Sequence, residues 1–240
     1  MRAGRADPAT EARPPVRLIR RFDTHRLIPS KHLRHGDSVL AELAPGEHDQ
    51  ALLDAIFALD AATNDRLLVG RQRLLGIGID ELVSGVPYAT IVNATFCHPH
   101  PLGARFSGPD RGAWYAAFEV TTAQAEVGFH KAVQLAEIGR FEDSVTYDDY
   151  LADFSASFHD LRRAPGFDDC LTPTSYVRSQ ALAARLLAAG ALGTVYRSVR
   201  RARGTCLACF RPALVANVRR GKVYRFTWDG GREPIVTLER

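Results

Sequence analysis

An arginine, a tyrosine and a glutamate stand ten and eleven residues apart at Arg105, Tyr115 and Glu126. A guanidinium fork binds phosphate oxygens in pairs, and a phenol ring offers a flat face for stacking. An ionised carboxylate stabilises positive charge that develops beside it. Such a set can hold a polyanionic nucleotide and help to break its bond to a sugar, because that cleavage passes through an oxocarbenium-like transition state. Further along, Tyr196-Arg197-Ser198-Val199-Arg200 adds a serine hydroxyl able to hydrogen-bond a ligand hydroxyl or phosphate. Arg26 is a second candidate arginine, since it lies in the short apolar segment Arg26-Leu27-Ile28. Taken singly, each residue has an ordinary structural reading: a buried tyrosine with its hydroxyl satisfied, a glutamate at a helix border, a strand serine. Their joint spacing is what singles them out.

The elements that must carry these groups follow from periodicity. Residues 112–119 alternate as a strand, with Trp114, Ala116 and Phe118 on a core face and Ala113, Tyr115 and Ala117 on the other. Alanines on both sides of Tyr115 leave room for a flat group. Thr121-Thr122-Ala123-Gln124 fits a capping box, with Thr121 as cap, and predicts a helix to about Gly139. Its apolar stripe would be Ala125, Phe129, Ala132, Val133 and Ala136, with Glu126 on the border and His130 just beyond. Glu126 near a helix N-terminus is helped to stay ionised by the helix dipole. Arg105 falls in a Gly- and Pro-rich loop, residues 103–112. Ser198 falls on a strand predicted over 194–199, on the face of Tyr196, and no G-x-S-x-G elbow makes it a nucleophile.

Around this centre the chain reads as one α+β domain over residues 16–240, behind a basic leader over 1–15 that is expected to be disordered. Further expectations are a short strand at Arg26 to Pro29, a helix over 50–61 capped by Asp49, and a strand over 88–96. A helix over 179–189 closes at Gly190, where a left-handed backbone is tolerated. Strands then follow over 205–214, 222–228 and 235–238, with a turn at Asp229-Gly230-Gly231.

The formal charge of +4 over 240 residues is modest. Arginines nonetheless cluster at 17, 20 and 21, at 197, 200, 201 and 203, and at 219 and 220, beside Lys222. Such clusters suit phosphate ligands or an acidic partner, or form a solvated surface. No apolar run reaches the ~18 residues of a membrane helix, and the N-terminus lacks the apolar centre of a secretory signal. A cytoplasmic protein without membrane contact is expected. Cys206 and Cys209 have half-zinc-site spacing, but on a strand residues three apart point to opposite faces. Cys97-His98-Pro99-His100 lacks matching ligands elsewhere, so no metal is expected. A nucleic-acid-binding module using the basic clusters is the competing reading from another class, though no helix-turn-helix or zinc finger is apparent. A metal-dependent hydrolase built on Cys97, His98, His100 and His130 is a third.

The segments Gly103-Ala104-Arg105-Phe106, Trp114-Tyr115-Ala116-Ala117, Ala125-Glu126-Val127 and the late Ser198 resemble the pattern of the RES-domain toxins. These are bacterial proteins that consume or transfer the ADP-ribose part of NAD. The resemblance runs from about Arg26 to Pro212. It departs from the family at Ala104, where a glycine is usual, at Phe106, where a tryptophan is usual, and in a long segment over about 35–95 that the shortest members lack. It implies an ADP-ribosyltransferase-like fold, with two small mixed β-sheets and flanking helices around an NAD cleft. It also implies NAD as substrate, bound by Arg26, Arg105, Tyr115 and Ser198, with Glu126, Tyr115 and Arg105 serving catalysis. The implied partner is a cognate Xre-type DNA-binding antitoxin, so that the toxin itself need not touch nucleic acid, and homo-oligomers are possible.

Overall fold

A computed structural model describes residues 12–30 and 76–239. The helix expected over 50–61 lies outside the described residues, as does most of the segment over 35–95. The strands are β1 (Val16–Pro29), β2 (Trp114–Ala117), β3 (Glu142–Asp160), β4 (Gly193–Arg197), β5 (Thr205–Cys209), β6 (Ala216–Asp229) and β7 (Ile235–Leu238). The helices are α1 (Ala89–Cys97), α2 (Val120–Glu137) and α3 (Val177–Ala188). Hydrogen bonding joins all seven strands into one mixed sheet in the order β1-β2-β5-β4-β3-β6-β7, with β1 also paired to β3. The expectation of two small sheets is therefore corrected: one sheet curls until its first strand meets its fifth.

The curl is held unevenly. β1 and β3 run antiparallel from Val16 opposite His159 to Pro29 opposite Tyr147, broken only by a bulge between Arg21 and Thr24. β3 and β6 form a second long antiparallel ladder. In contrast, β1 pairs with β2 only at His25 opposite Ala117, and β3 pairs with β4 in parallel only through His159–Thr194 and Asp160–Val195. A block of β2, β5 and β4 is thus hinged to a block of β1, β3, β6 and β7 by two short seams.

Alternation gives the block containing β2 two packed faces. Ala113, Ala117, Cys206, Ala208 and Tyr196 face one core cluster, with Tyr115 packed against it, while Trp114, Ala116, Leu207, Cys209 and Val195 face the other. Cys206 and Cys209 accordingly point to opposite sides, as a strand requires. Gly193 makes the close weave of β4 and β5 possible. With φ of +150°, it passes so near β5 that a Cβ would lie 2.2 Å from the Ala208 carbonyl oxygen.

Several elements differ from the sequence expectation for identifiable reasons. Residues 89–97 form α1, not a strand, despite Thr90, Ile91, Val92 and Thr95. One turn apart, Val92 and Phe96 are both buried on the second cluster, and this burial outweighs a β-branched preference. Thr95 accommodates the helix by donating its hydroxyl to the Ile91 carbonyl at 3.0 Å. α2 starts at Val120, with Glu119 as its cap, because the Glu119 carbonyl accepts from the Thr122 and Ala123 amides; Thr121 is exposed and caps nothing. The helix buries Thr122, Ala123, Gly128, Ala132 and Leu135, so the stripe is rotated from the expected one and Phe129 and Val133 are exposed. β3, read at sequence level as no element at all, is the longest strand. Pro14 and Pro15, expected in the leader, are held to β3: the Pro15 carbonyl accepts from Asp160 N–H at 2.8 Å, and the Pro14 carbonyl lies 2.7 Å from His159 Nδ1. No described helix is long and apolar enough to cross a membrane.

Candidate active site

The first core face of β2, β5 and β4 is the floor beneath α2. Tyr196 on β4 sits opposite Cys206 on β5, which sits opposite Ala117 on β2. The ring of Phe106 lies 4.7 Å from that of Tyr196, and both residues are buried. Burial drives the Tyr196 hydroxyl well above the ordinary tyrosine range; the nearby Cys206, Glu126 and Tyr115 push the same way and Arg105 opposes them. Glu126, Tyr115 and Arg105, the three side chains of the sequence spacing, thus all couple electrostatically to the buried Tyr196.

Glu126, in the second turn of α2, is half-buried and turned towards the β4–β5 hairpin. Its Oε1 accepts from the Ser198 hydroxyl at 2.6 Å and lies 3.7 Å from the Cys206 thiol. Its Oε2 accepts nothing among the described residues and is not sealed from solvent. Ser198 lies just beyond β4 and not on it, because the strand ends at Arg197 and the chain turns there. In that turn its hydroxyl oxygen accepts from the amides of Arg200 (3.1 Å) and Arg201 (3.0 Å). A serine oxygen has two lone pairs and one proton. With both lone pairs taken, the proton goes to Glu126, and no capacity is left for a ligand phosphate.

The hairpin can reach α2 because of Gly204, where a Cβ would lie 2.6 Å from Thr122 Oγ1 and 3.1 Å from Ser198 Cβ. Glu119 fixes the same junction. Its Oε2 accepts from Thr122 Oγ1 at 2.7 Å and from the Thr205 amide at 3.3 Å.

Tyr115 meets the ordinary structural reading of a satisfied tyrosine in full. Its hydroxyl accepts from the Phe106 amide at 2.9 Å and shares a 3.0 Å hydrogen bond with Ser107, and burial pushes it up to about 12. It pins the loop that carries Arg105. The Arg105 side chain is itself buried. Its Nη1 donates to the carbonyls of Cys170 (3.2 Å) and Thr172 (2.8 Å), and its guanidinium lies 4.7 Å above the Tyr176 ring. Nε and Nη2 make no hydrogen bond among the described residues.

Arg26 stands apart. It is opposite Tyr150 in the ladder and 4.9 Å above the Trp114 ring, and both of those residues belong to the second core cluster. Its guanidinium reaches β2 through the Tyr115 carbonyl at 3.0 Å and couples electrostatically to the Tyr115 phenol. Burial lowers it to about 10.

Residues 83–229 match the model of the RES domain, more than half of the chain. The chain belongs to the RES domain family. Among solved structures, the crystal structure of the M. tuberculosis MbcT-MbcA toxin-antitoxin complex is similar at 13% identity and a TM-score of 0.42, covering 56% of this chain and 75% of that one. No curated protein matches. Arg105, Tyr115, Glu126 and Ser198 lie inside the RES segment and Arg26 lies outside it, in accord with its position on the other face.

Sequence reasoning gave Tyr196 no part, read Arg200 only as one of a basic cluster, and weighed Cys206 only for its spacing to Cys209. Arg200 stacks 3.4 Å over the exposed Phe129 ring and donates to the Pro173 carbonyl at 2.6 Å, so it bridges α2 and the segment before α3. His130, one turn after Glu126, is exposed. Desolvation first, and then the charges of Arg200, Arg105 and His100, push its imidazole down against the pull of Glu126. An antiparallel β4–β5 hairpin, once drawn, pairs Tyr196 with Cys206, and that was the available signal. No group of three or more His, Cys, Asp or Glu able to hold a metal occurs among the described residues.

Proposed function

We propose that this RES-family protein is a toxin that breaks the nicotinamide–ribose bond of NAD and is neutralised by a cognate Xre-type antitoxin. One observation carries the reading: Glu126 is anchored through Oε1 alone by uncharged donors, which leaves Oε2 unengaged, and it couples electrostatically with Arg105 and Tyr115 to the same buried Tyr196. A fixed carboxylate with one bare oxygen suits charge that develops on a ribose ring, since its orientation costs nothing at the moment of reaction. Arg105 supplies Nε and Nη2 for a phosphate oxygen, and the Tyr115 ring with its flanking alanines receives a planar group. Ser198 holds Glu126 instead of the ligand, and Arg26 braces β2 from behind. The narrow β1–β2 seam beside these residues is where an ADP-ribosyltransferase-like cleft would open.

The acceptor divides the reading into three branches: water, phosphate or a protein side chain. Purified protein incubated with NAD, with and without phosphate and cell lysate, is expected to release nicotinamide together with ADP-ribose, its 1″-phosphate or a modified protein, identified by mass. Intact NAD in all conditions would overturn the proposal. Salt-sensitive binding to nucleic acid with indifference to NAD would favour a binding module instead.

A further inference from the structure

Behind the proposed reaction lies a group that the family pattern does not contain. Cys206 projects from the middle of the floor, nearly inaccessible to solvent, with its thiol 3.7 Å from the same Glu126 oxygen that Ser198 grips. We infer that Cys206 is a positioning residue: its thiol and the Ser198 hydroxyl form a two-donor clamp on Glu126 Oε1 that turns Oε2 outward to the substrate. This inference rests on the reading of Glu126 as the group that meets the ribose.

The hydrogen-bond inventory supports it. The Arg200 and Arg201 amides occupy both lone pairs of Ser198, so that hydroxyl has one direction left for its proton. A single donor leaves a carboxylate free to swing about it; a second donor, from β5 and not from the turn that holds Ser198, removes that freedom. A thiol suits the position better than a basic group would. It is a weak, uncharged donor that directs the carboxylate without neutralising it, whereas a guanidinium would form a bidentate pair and consume both oxygens. The thiol also stays protonated: burial first, then the Glu126 charge, hold it well above the ordinary cysteine range. A thiol that remains a donor across the working range never becomes a second negative charge beside the carboxylate. Cys209, three residues on, gives an internal contrast, for it is equally buried on the opposite face and its thiol donates to the Arg211 carbonyl at 3.2 Å.

Two measurements on the full chain test the clamp, one with NAD and one without. Cys206→Ala is expected to lower kcat for nicotinamide release by about two- to fivefold, the worth of one weak hydrogen bond, with KM for NAD unchanged. Cys206→Ser, which restores a donor, is expected to recover most of that loss. In the second measurement, Glu126→Gln removes the negative charge that disfavours the thiolate, so alkylation of Cys206 by iodoacetamide at mildly alkaline pH should rise relative to Cys209 on the same peptide, read by fragment masses. Cys209 corrects for any general opening of the fold. Wild-type kcat in Cys206→Ala, or a Cys206 to Cys209 ratio unmoved by Glu126→Gln, would overturn the clamp. If wild-type protein leaves NAD intact while the ratio still moves, the clamp stands as a structural contact and the proposed reaction fails, so the two failures are distinguishable.

Discussion

Two glutamates of this chain keep company with arginines and end with opposite prospects. At Glu81, in the short turn Ile79–Glu81, both oxygens are consumed: Arg111 grips Oε1 at 2.7 Å and Oε2 at 2.8 Å, Arg211 adds 2.6 Å to Oε2, and the Gly78 amide lies 3.3 Å from Oε1. Those hydrogen bonds, Arg111 first, hold the carboxyl down at about 2. Arg111 spends its remaining reach on the carbonyls of Gly76 and Phe210, tying three segments together. At Glu126 one oxygen is held, by a hydroxyl and a thiol, and no guanidinium touches it. A carboxylate whose lone pairs are all taken is a structural bolt; one fixed by half and left charged can act on something else. Residue type does not separate the two cases, whereas saturation does.

Exchanging the carboxylate for an amide at each position should separate them most sharply. Glu126→Gln is expected to reduce nicotinamide release by about 10²- to 10³-fold, with the urea midpoint near that of wild type; an unchanged rate would break the comparison. Glu81→Gln should do the reverse, costing about 3 kcal/mol of stability in denaturant titrations at neutral pH while turnover per folded molecule persists. The sign follows from the depressed folded value. The Glu81 contribution is fully present above its ordinary 4.5 and is lost as pH falls from there to about 2. Wild type should therefore shed that stability over this window, and Glu81→Gln should show a flatter acid profile.

Smaller effects refine the contrast. Gly204→Ala puts a methyl against Thr122 and Ser198, so it should cost about 1–3 kcal/mol and lower activity in folded protein by shifting the hairpin off α2. Tyr115→Phe removes the partner of the Phe106 amide and should cost about 1 kcal/mol, with faster hydrogen exchange at that amide. If Tyr115→Phe instead abolishes turnover at full stability, the phenol does more than pin the Arg105 loop.

Periodicity served well where one face was cleanly buried. The β2 alternation put Trp114 and Tyr115 on opposite faces, β7 runs over the expected residues, and Gly190, with φ of +76°, closes α3. It failed where polar residues sit in the core. β3 carries Asp148 and Asp149, both buried and tied to Arg220, Ser30 and His25, and their charges hid the strand's alternation. For α1 the β-branched residues outvoted the helical spacing of Val92 and Phe96. Ser198 was placed on a strand because nothing local marks where β4 turns; the turn is defined by hydrogen bonds to Gly204 and to the Arg200 and Arg201 amides.

Residue identity and spacing alone were enough to nominate Arg105, Tyr115 and Glu126, because each carries a chemistry that its type dictates and their intervals match a known pattern. How much hydrogen-bonding capacity a nominated group keeps is decided only by tertiary contacts. Hydrogen-bond capacity is finite, and distant segments decide how it is spent: the hairpin takes one oxygen of Glu126, two arginines take both oxygens of Glu81, and the far face of the sheet takes Arg26. No interval along the chain encodes that allocation, since it depends on which surfaces pack together once the sheet has curled.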